Sequence, residues 1–281
     1  MTPSAASPLR RFSPIEHVSN ALFVTIHLSL LFVFVVHLSW GIAALALGGY
    51  LLRMFAITGG YHRYFAHRSY KTSRAFQLVL AVLGATSMQN GPIWWASCHR
   101  QHHKYSDTRR DLHSPVQGGF WYAHVGWVFD RSKPRPRDDS NVGDLLEYPE
   151  LRWIDGHDWI PLAGYGVLCF LIGGPAGLVW GFVVSTLAVF HATMLINSLT
   201  HMWGTRRFAT DDQSRNNALL AVLTMGEGWH NNHHHYQSSA RQGFRWWELD
   251  VTYYVLRGLA KLGLIWGVRE PPVEMMGGAH P

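Results

Sequence analysis

Charged residues are scarce in this sequence, and cysteine is almost absent. Asp, Glu, Lys and Arg make up 15% of the 281 residues, whereas hydrophobic residues make up 48%. So little charge is typical of a membrane protein. Two cysteines, Cys98 and Cys169, cannot build a disulfide framework or ligate an iron–sulfur cluster unaided. Cys98 lies beside a histidine group and is either a metal ligand or, as we favour, a buried packing residue.

Standard cofactor motifs are also missing. The sequence has no HExxH zinc-protease motif, no GxGxxG nucleotide loop and no HPGG haem signature. It therefore indicates neither a zincin nor a fused haem or nucleotide module. Histidine, by contrast, is abundant, with 18 copies.

Two long stretches, residues 17–52 and residues 159–205, contain no charged residue. A membrane-spanning helix needs about 20 residues, so each stretch can form a hairpin of two helices. The turns are predicted near Ser39–Trp40–Gly41 and at Gly173–Gly174–Pro175. The predicted fold is an all-α membrane protein whose four spans cover about residues 20–38, 42–60, 160–173 and 177–200.

The distribution of positive charge predicts the orientation. Residues 61–158 hold 13 of the 24 Lys and Arg residues, whereas the hairpin tips hold none. By the positive-inside rule this segment and both termini face the cytoplasm, and we expect the bacterial inner membrane. The rule explains the net charge of +6 better than nucleic-acid binding does. We expect cytoplasmic segments 1–19 and 256–281 around one domain, 20–255.

Two further apolar features leave alternatives open. Residues 75–95 include Gln89 and Asn90 and predict a helix on or partly in the membrane face, with a fifth span as the less favoured interpretation. Gly177 and Gly181 form a GxxxG step. We interpret it as close packing within the bundle, with dimerisation as the alternative.

Nine histidines fall into four groups near the cytoplasmic ends of the predicted spans. The groups are His62-Arg-Tyr-Phe-Ala-His67, His99-Arg-Gln-His102-His103, Asn197-Ser-Leu-Thr-His201 and His230-Asn-Asn-His233-His234. They can therefore converge beneath the bilayer. Imidazole binds zinc, copper, iron and nickel, and a zinc site usually uses three or four protein ligands. Nine histidines thus predict two metal sites.

Helical spacing predicts how one segment can serve two metals. Residues four apart lie about 40° apart around an α-helix, so His99 and His103 share a stripe while His102 stands to one side. The fourth group repeats this pattern. His62 and His67 are five apart and are expected to point in different directions, toward two metals.

At these residues the sequence resembles the membrane fatty acid desaturases, and among them the acyl-CoA delta-9 (stearoyl-CoA) branch in its short bacterial form. The matching motifs are HRYFAH, HRQHH, NSLTH and EGWHNNHH, across about residues 20–255. The resemblance implies a cytoplasmic helical cap that holds two iron ions. One iron would be held by His62, His99, His103 and His230, with Asn197 acting through a water. The other would be held by His67, His102, His201, His233 and His234.

The resemblance also implies an oxygen-dependent reaction that introduces a cis double bond, at delta-9, into an acyl-CoA or other acyl thioester. A separate donor of ferredoxin or cytochrome b5 type would supply the electrons, and membrane lipid would surround the enzyme. Glu227 and Asp111 are candidates to orient the imidazoles. Tyr50, Met54 and Trp95 are candidates for the acyl pocket. A lipid hydroxylase on the same scaffold, or a haem- or metal-carrying membrane protein, remains the alternative.

Overall fold

The computed structural model describes residues 14–130 and 137–277, and it is mainly helical, at 66%. The α-helices are α1 (Pro14–Leu28), α2 (Trp40–Phe55), α3 (Arg74–Ala85), α4 (Pro92–Tyr105), α5 (Pro115–His124), α6 (Gly143–Leu146), α7 (Pro149–Gly156), α8 (Trp159–Ala176), α9 (Ser185–Leu199), α10 (Ala218–Leu223), α11 (His230–His235), α12 (Val251–Lys261) and α13 (Val273–Gly277). Two π-helices, Ala56–Ala66 and Gly177–Val184, continue α2 and connect α8 to α9. Short 3-10 helices cover Ser29–Phe34, Gly126–Phe129 and Asp139–Asn141.

The expectation of an all-α fold holds apart from one small antiparallel pair of strands, β1 (Lys71–Thr72) and β2 (Ile265–Trp266). The pair joins the segment after His67 to the C-terminal part of the chain. Residue 255, the expected domain end, lies inside α12, and Arg269 N donates to Ser69 O. The C-terminal segment up to 277 therefore packs with the rest of the fold. Residues 1–13 of the expected N-terminal segment lie outside the described part.

Two helices in the described part are long and apolar enough to cross a membrane, Trp40–Ala66 and Trp159–Leu199. The second one is broken at Gly173 and Gly174, where Gly174 has a φ of +56° that favours glycine. The predicted turn there is confirmed. Its two arms pack closely, because a Cβ on Gly177 would lie 2.0 Å from the carbonyl oxygen of Cys169. The GxxxG step thus packs within the bundle.

The first predicted hairpin is shorter than expected. Its apolar helical part covers Asn20–Phe34, which is less than the roughly 20 residues that a span needs. The chain then turns, and Ser39 caps α2 by accepting a hydrogen bond from Ile42 N at 3.4 Å. The turn is therefore confirmed near Ser39. The arrangement of four spans, and its orientation, stays a prediction.

Residues 75–95 do not form one helix, so that expectation was wrong. The chain leaves α3 after Ala85 and enters α4 at Pro92. Between them Met88 and Asn90 adopt positive φ angles of 58° and 62°, which end the α-helical winding. α3 has only 12 residues and is too short to span a membrane.

A buried arginine fixes α2 to its neighbours. Arg53 donates to Thr186 Oγ1 at 2.5 Å and to Thr86 O at 3.2 Å, and its guanidinium lies 4.2 Å from the centre of the Tyr165 ring. Neutral oxygens and an aromatic face thus satisfy a cation in an apolar helix. These contacts hold α2 against its neighbours, and so help to position His62 in the π-helix that continues α2.

Candidate metal centre

Five histidine rings converge in a first cluster. His62 and His67 come from the end of the long Trp40–Ala66 helix, His99 and His103 from α4, and His233 from α11. Each offers one ring nitrogen that lies within 4.8 Å of the others. Measured contacts between Nε2 atoms include 3.0 Å for His62 and His233, and 2.9 Å for His67 and His99.

The structure places His62 and His67 in the same cluster, whereas the spacing predicted that they point in different directions, and the winding of the helix is the reason. The helix continues past the predicted end of the span as a π-helix. His67 N donates to His62 O at 3.1 Å, the five-residue hydrogen bond of that winding. Residues five apart therefore face the same way, and both rings reach the first cluster.

Four further rings form a second cluster. They are His102, His201, His230 and His234, all of them buried. The Nε2 atoms of His201 and His230 lie 3.1 Å apart. The rings of His103 and His234, one from each cluster, have centroids 4.4 Å apart, so the two clusters adjoin.

The structure thus divides the nine rings differently from the division that the resemblance implied. His67 and His233 belong with the first cluster and His230 with the second. In α11, His230 and His234 are four residues apart and share a stripe, whereas His233 faces the other cluster. For these three histidines, the four-residue spacing in the sequence therefore agrees with the observed clusters better than the division implied by the resemblance.

The nitrogens of the first cluster have too many neighbours for hydrogen bonding alone. His103 Nε2 lies 2.9 Å from His99 Nε2 and 3.0 Å from His233 Nε2. An imidazole nitrogen has one in-plane position, which holds either a proton or a lone pair. Nitrogens about 2.1 Å from a shared metal, at right angles to each other, would lie about 3.0 Å apart. The first cluster therefore fits a metal ion.

In the second cluster, two buried ring nitrogens indicate a metal site. His102 Nε2 and His234 Nε2 are buried and have no hydrogen-bond partner. Their Nδ1 atoms face carboxylates, with His102 at 3.1 Å from Asp111 and His234 at 2.5 Å from Asp212. A proton on Nδ1 leaves a lone pair on Nε2, aimed into the cluster. The second cluster therefore also fits a metal ion.

The two carboxylates proposed from the sequence contact cluster histidines. Glu227 Oε2 lies 2.5 Å from His62 Nδ1, and Asp111 contacts His102. Sequence reasoning missed two more, Asp107 at 2.8 Å from His201 Nδ1 and Asp212 beside His234. Asp107 precedes His201 by 94 residues, so no spacing could have revealed the pair.

Burial, and then the neighbouring rings, lower the pKa of several cluster histidines well below its usual value: His67, His99, His103, His230 and His233. Neutral imidazole is the form that binds metal. Burial would raise the pKa of Glu227, but His62 and Arg63 outweigh it and lower the pKa to about 2. The carboxylate is therefore ionised and can hold a proton on His62 Nδ1.

Two other candidates stand apart from the clusters. Asn197, on α9, lies four residues before His201 in the sequence, and its amide contacts Met194 Sδ at 3.9 Å. Its link to a metal stays a prediction. Cys98 is buried, as expected of a packing residue, and is not among the residues grouped with either cluster.

The three pocket candidates lie on α2 and on α4, which carries His99. Met54 is fully buried, and the Tyr50 hydroxyl donates to Leu223 O at the end of α10. Trp95 stacks on His99, with ring centroids 4.8 Å apart and planes inclined by 19°. Trp95 Nε1 donates to Gln89 Oε1 at 3.2 Å, which fixes the indole in this position. That these residues contact an acyl chain stays a prediction.

A separate open pocket leads to the first cluster from the surface. Its floor includes two cluster rings and its rim carries basic and polar side chains; it is lined by Ala66, His67, Arg100, His103, Lys104, Gln237 and Ser238. Arg100 is held by Asp144 at 2.8 Å, whereas Lys104 is exposed. The pocket therefore gives the first cluster an opening to the surface, with charged, amide and apolar side chains along it.

These features define a helical protein with apolar helices and a buried centre in which nine histidines fit two metal ions. The chain belongs to the fatty acid desaturase family, whose profile matches residues 36–267. It is 42% identical over 224 residues to a probable chloroplastic lipid desaturase, ADS3.2, of Arabidopsis thaliana, and this match covers 79% of the chain and 62% of its relative.

Two other relatives show how widely the family varies. An acyl-CoA C20 Delta5-desaturase of Anemone leveillei is 40% identical over 220 residues, which cover 78% of this chain and 70% of that protein. Delta-9 acyl-lipid desaturase 2 of Arabidopsis thaliana is 38% identical over 267 residues, covering 93% and 85%. Their names include both CoA and lipid carriers, and two double-bond positions.

Proposed function

We propose that this protein is an oxygen-dependent fatty acyl desaturase that introduces a cis double bond, at delta-9, into a saturated acyl thioester. The observation that carries the proposal is the convergence of nine histidine rings into two adjoining clusters, in a chain of the fatty acid desaturase family. Two iron ions would be held by the Nε2 atoms of the clusters. Iron supplies the oxidising power to break an unactivated C–H bond, which protein groups lack.

The protein's part is to hold the ligand rings in one tautomer. Glu227, Asp111, Asp107 and Asp212 face Nδ1 atoms, so the metal-facing nitrogens keep their lone pairs. Arg63 donates to Glu227 Oε1 at 2.9 Å and holds that carboxylate in place. The centre is therefore preorganised before substrate arrives.

The acyl chain would lie against Trp95, because this indole covers the face of His99 and is held still. Gln89 accepts from the indole and donates to Thr193 Oγ1 at 3.0 Å, which ties α9 to the start of α4. A fixed indole beside the clusters would keep one methylene pair of the acyl chain close to the metal-binding rings and would exclude water. Met54, fully buried, would line the pocket further along α2.

The external electrons would enter at the open pocket over His67 and His103. Exposed Lys104 on its rim favours an acidic donor surface, because complementary charge speeds encounter. The proposed electron donor is a ferredoxin or a protein of cytochrome b5 type.

The decisive experiment is expression in a host that lacks its own desaturase, with fatty acids profiled by mass spectrometry and double bonds localised. We expect new cis-unsaturated acids with the bond at delta-9. A hydroxy acid as the main product would support the hydroxylase alternative. Purified protein should contain non-haem iron and no Soret band, and a Soret band would support a haem-carrying protein instead.

A further inference from the structure

The short helix α10 has one side that is buried and one side that is apolar and exposed. Leu219, Val222 and Leu223 are 59%, 61% and 43% exposed, and we name these three residues the α10 face. Their spacing of three and four residues places them on one side of the helix. Large apolar side chains that are exposed together mark a surface that contacts another molecule or a membrane.

The opposite side of α10 packs on the segment that carries the fourth histidine group. Leu220 and Ala221 are buried, and a Cβ on Gly228 would lie 2.1 Å from Ala221 N. Asn217 N donates to Gly228 O at 2.7 Å. Gly228 precedes His230 by two residues. One helix therefore separates whatever covers the α10 face from the ligand-bearing segment.

The α10 face lies beside a helix that is long and apolar enough to cross a membrane. Tyr50, in the Trp40–Ala66 helix, donates its hydroxyl hydrogen bond to Leu223 O. Leu47, about one helical turn before Tyr50, is itself 60% exposed. Tyr50 lies inside the predicted span 42–60, ten residues or about 15 Å before its end, which is about half of the apolar layer. We therefore expect α10 at the level of one leaflet, beside the span rather than beneath it.

The end of α10 is hydrogen-bonded as a helix in lipid requires. The last four carbonyl groups of a helix lack a partner within it, and lipid offers none. Thr224 Oγ1 donates to Leu220 O at 2.6 Å. The Tyr50 hydroxyl supplies the donor for Leu223 O, where the helix ends. These two terminal carbonyls therefore need no water.

The accessible charge around the α10 face is positive. Residues 213–256, all of which the structure describes, contain three acidic side chains, and each is buried: Glu227, Glu248 and Asp250. The Arg245 guanidinium lies 5.0 Å from the centre of the Trp247 ring, and that indole is 52% exposed. The loop that carries this pair leads to the turn after α10, where Thr252 N donates to Met225 O at 2.8 Å. Exposed tryptophan beside arginine is typical of the headgroup level of a membrane, and positive charge favours anionic lipid.

We propose that the α10 face and Trp247 are seated in an anionic bilayer, in the leaflet nearest the metal centre. The three α10 side chains contact acyl chains, whereas Trp247 and Arg245 lie among the headgroups. The inference goes beyond the proposed reaction and does not depend on it. It depends on the bilayer position of the Trp40–Ala66 helix, which the Tyr50 hydroxyl joins to α10.

The first test measures lipid contact at single labelled positions. Cys98 and Cys169 are buried, so a cysteine introduced at Val222 can be labelled selectively with a thiol-reactive NBD dye on the folded, full-length chain. The labelled Val222→Cys protein is reconstituted in vesicles of phosphatidylcholine and phosphatidylglycerol. We expect blue-shifted NBD emission, quenching by doxyl groups on the lipid chains, and protection from iodide in water. Leu219→Cys is a second site on the same face and serves where Val222→Cys does not fold.

Two reference positions define the extremes of this response. Leu47→Cys, on the exposed side of α2, should give the full lipid response. Gln237→Cys should give the full iodide response, because Gln237 is exposed and lines the open pocket. Iodide quenching at Val222 and Leu219 as strong as at Gln237 would overturn the proposal. Protection from both quenchers, together with cross-links between chains, would overturn it in favour of a second copy of the protein.

The second test measures the contact with anionic headgroups. NBD at Trp246→Cys, next to Trp247, should shift to the blue when phosphatidylglycerol is added to phosphatidylcholine vesicles. Arg245→Gln should abolish this shift, whereas Arg152→Gln, which alters an exposed arginine on α7, should leave it unchanged. A shift that survives Arg245→Gln, or no shift at all, would overturn the headgroup contact.

Both tests are independent of turnover. A protein that makes no double bond but shows lipid contact at Val222 would contradict the proposed function alone. A label at Leu47 that reports water would overturn the inference, because the α10 face follows the Trp40–Ala66 helix into the bilayer.

Discussion

Ligand pairs removed together can test which histidines share a metal. His201 and His230 lie in one cluster, with 3.1 Å between their Nε2 atoms, whereas His233 lies 3.0 Å from His62 in the other. The double variant His201→Gln/His230→Gln should therefore lose one metal and keep the other. His201→Gln/His233→Gln should lose both, because each substitution affects a different site.

The two double variants should also differ in their free energy of unfolding. A metal present at a hundred times its Kd adds about 2.7 kcal/mol to the free energy of unfolding. The His201→Gln/His230→Gln variant should lose this contribution once. The His201→Gln/His233→Gln variant should lose it twice, about 5 kcal/mol. The second variant should therefore melt at a clearly lower temperature, and the two should melt alike once metal is stripped from both.

Metal per chain is measured by mass spectrometry on purified protein, with His157→Gln as the matched control. The division implied by the resemblance predicts the opposite order, because it groups His201 with His233 and separates it from His230. Loss of both metals from the His201/His230 variant, with one metal kept by the His201/His233 variant, would refute the two clusters as the structure groups them.

Three further outcomes follow from particular contacts. Asp212→Asn should weaken metal binding to the second cluster by about 10–100-fold, since this carboxylate orients His234; an unchanged affinity in metal titrations would contradict this. Tyr50→Ala should shift preference toward acyl chains about two to four carbons longer, because one helical turn rises about 5.4 Å; competition between acyl thioesters measures it, and an unaltered length profile removes Tyr50 from the pocket end. Gly84→Ala places a Cβ 2.0 Å from the buried Tyr61 ring and should cost about 1–3 kcal/mol; thermal melting checks this, and a wild-type melting temperature would show that the ring can move aside.

The spacing of histidines predicted much of the centre. The stripe argument grouped His99 with His103 and gave no reason to separate His230 from His234, and the structure agrees. It failed for His67, because it assumed 3.6 residues per turn where the helix is wound as a π-helix. Winding depends on tertiary packing, which a spacing rule does not contain.

The turns were predictable where glycine and serine mark them, at Gly174 and Ser39. The break between α3 and α4 was missed although Asn90-Gly91 is a dipeptide typical of turns, because the apolar run around it was interpreted as one helix; only Met88 carries no signal for the positive φ that it adopts. Asp107 and Asp212 escaped notice for another reason: acidic residues are common in loops, and only the folded chain shows which of them meets a histidine.

The six residues of α11 supply rings to both clusters, His233 to one and His230 with His234 to the other. This helix begins at residue 230 of 281, after both long apolar helices in the chain. Neither cluster has its full set of ligands until that late segment is made and packed. Under the proposed function, metal loading therefore follows the synthesis and packing of this late segment, and shortage of iron is expected to leave both clusters empty together.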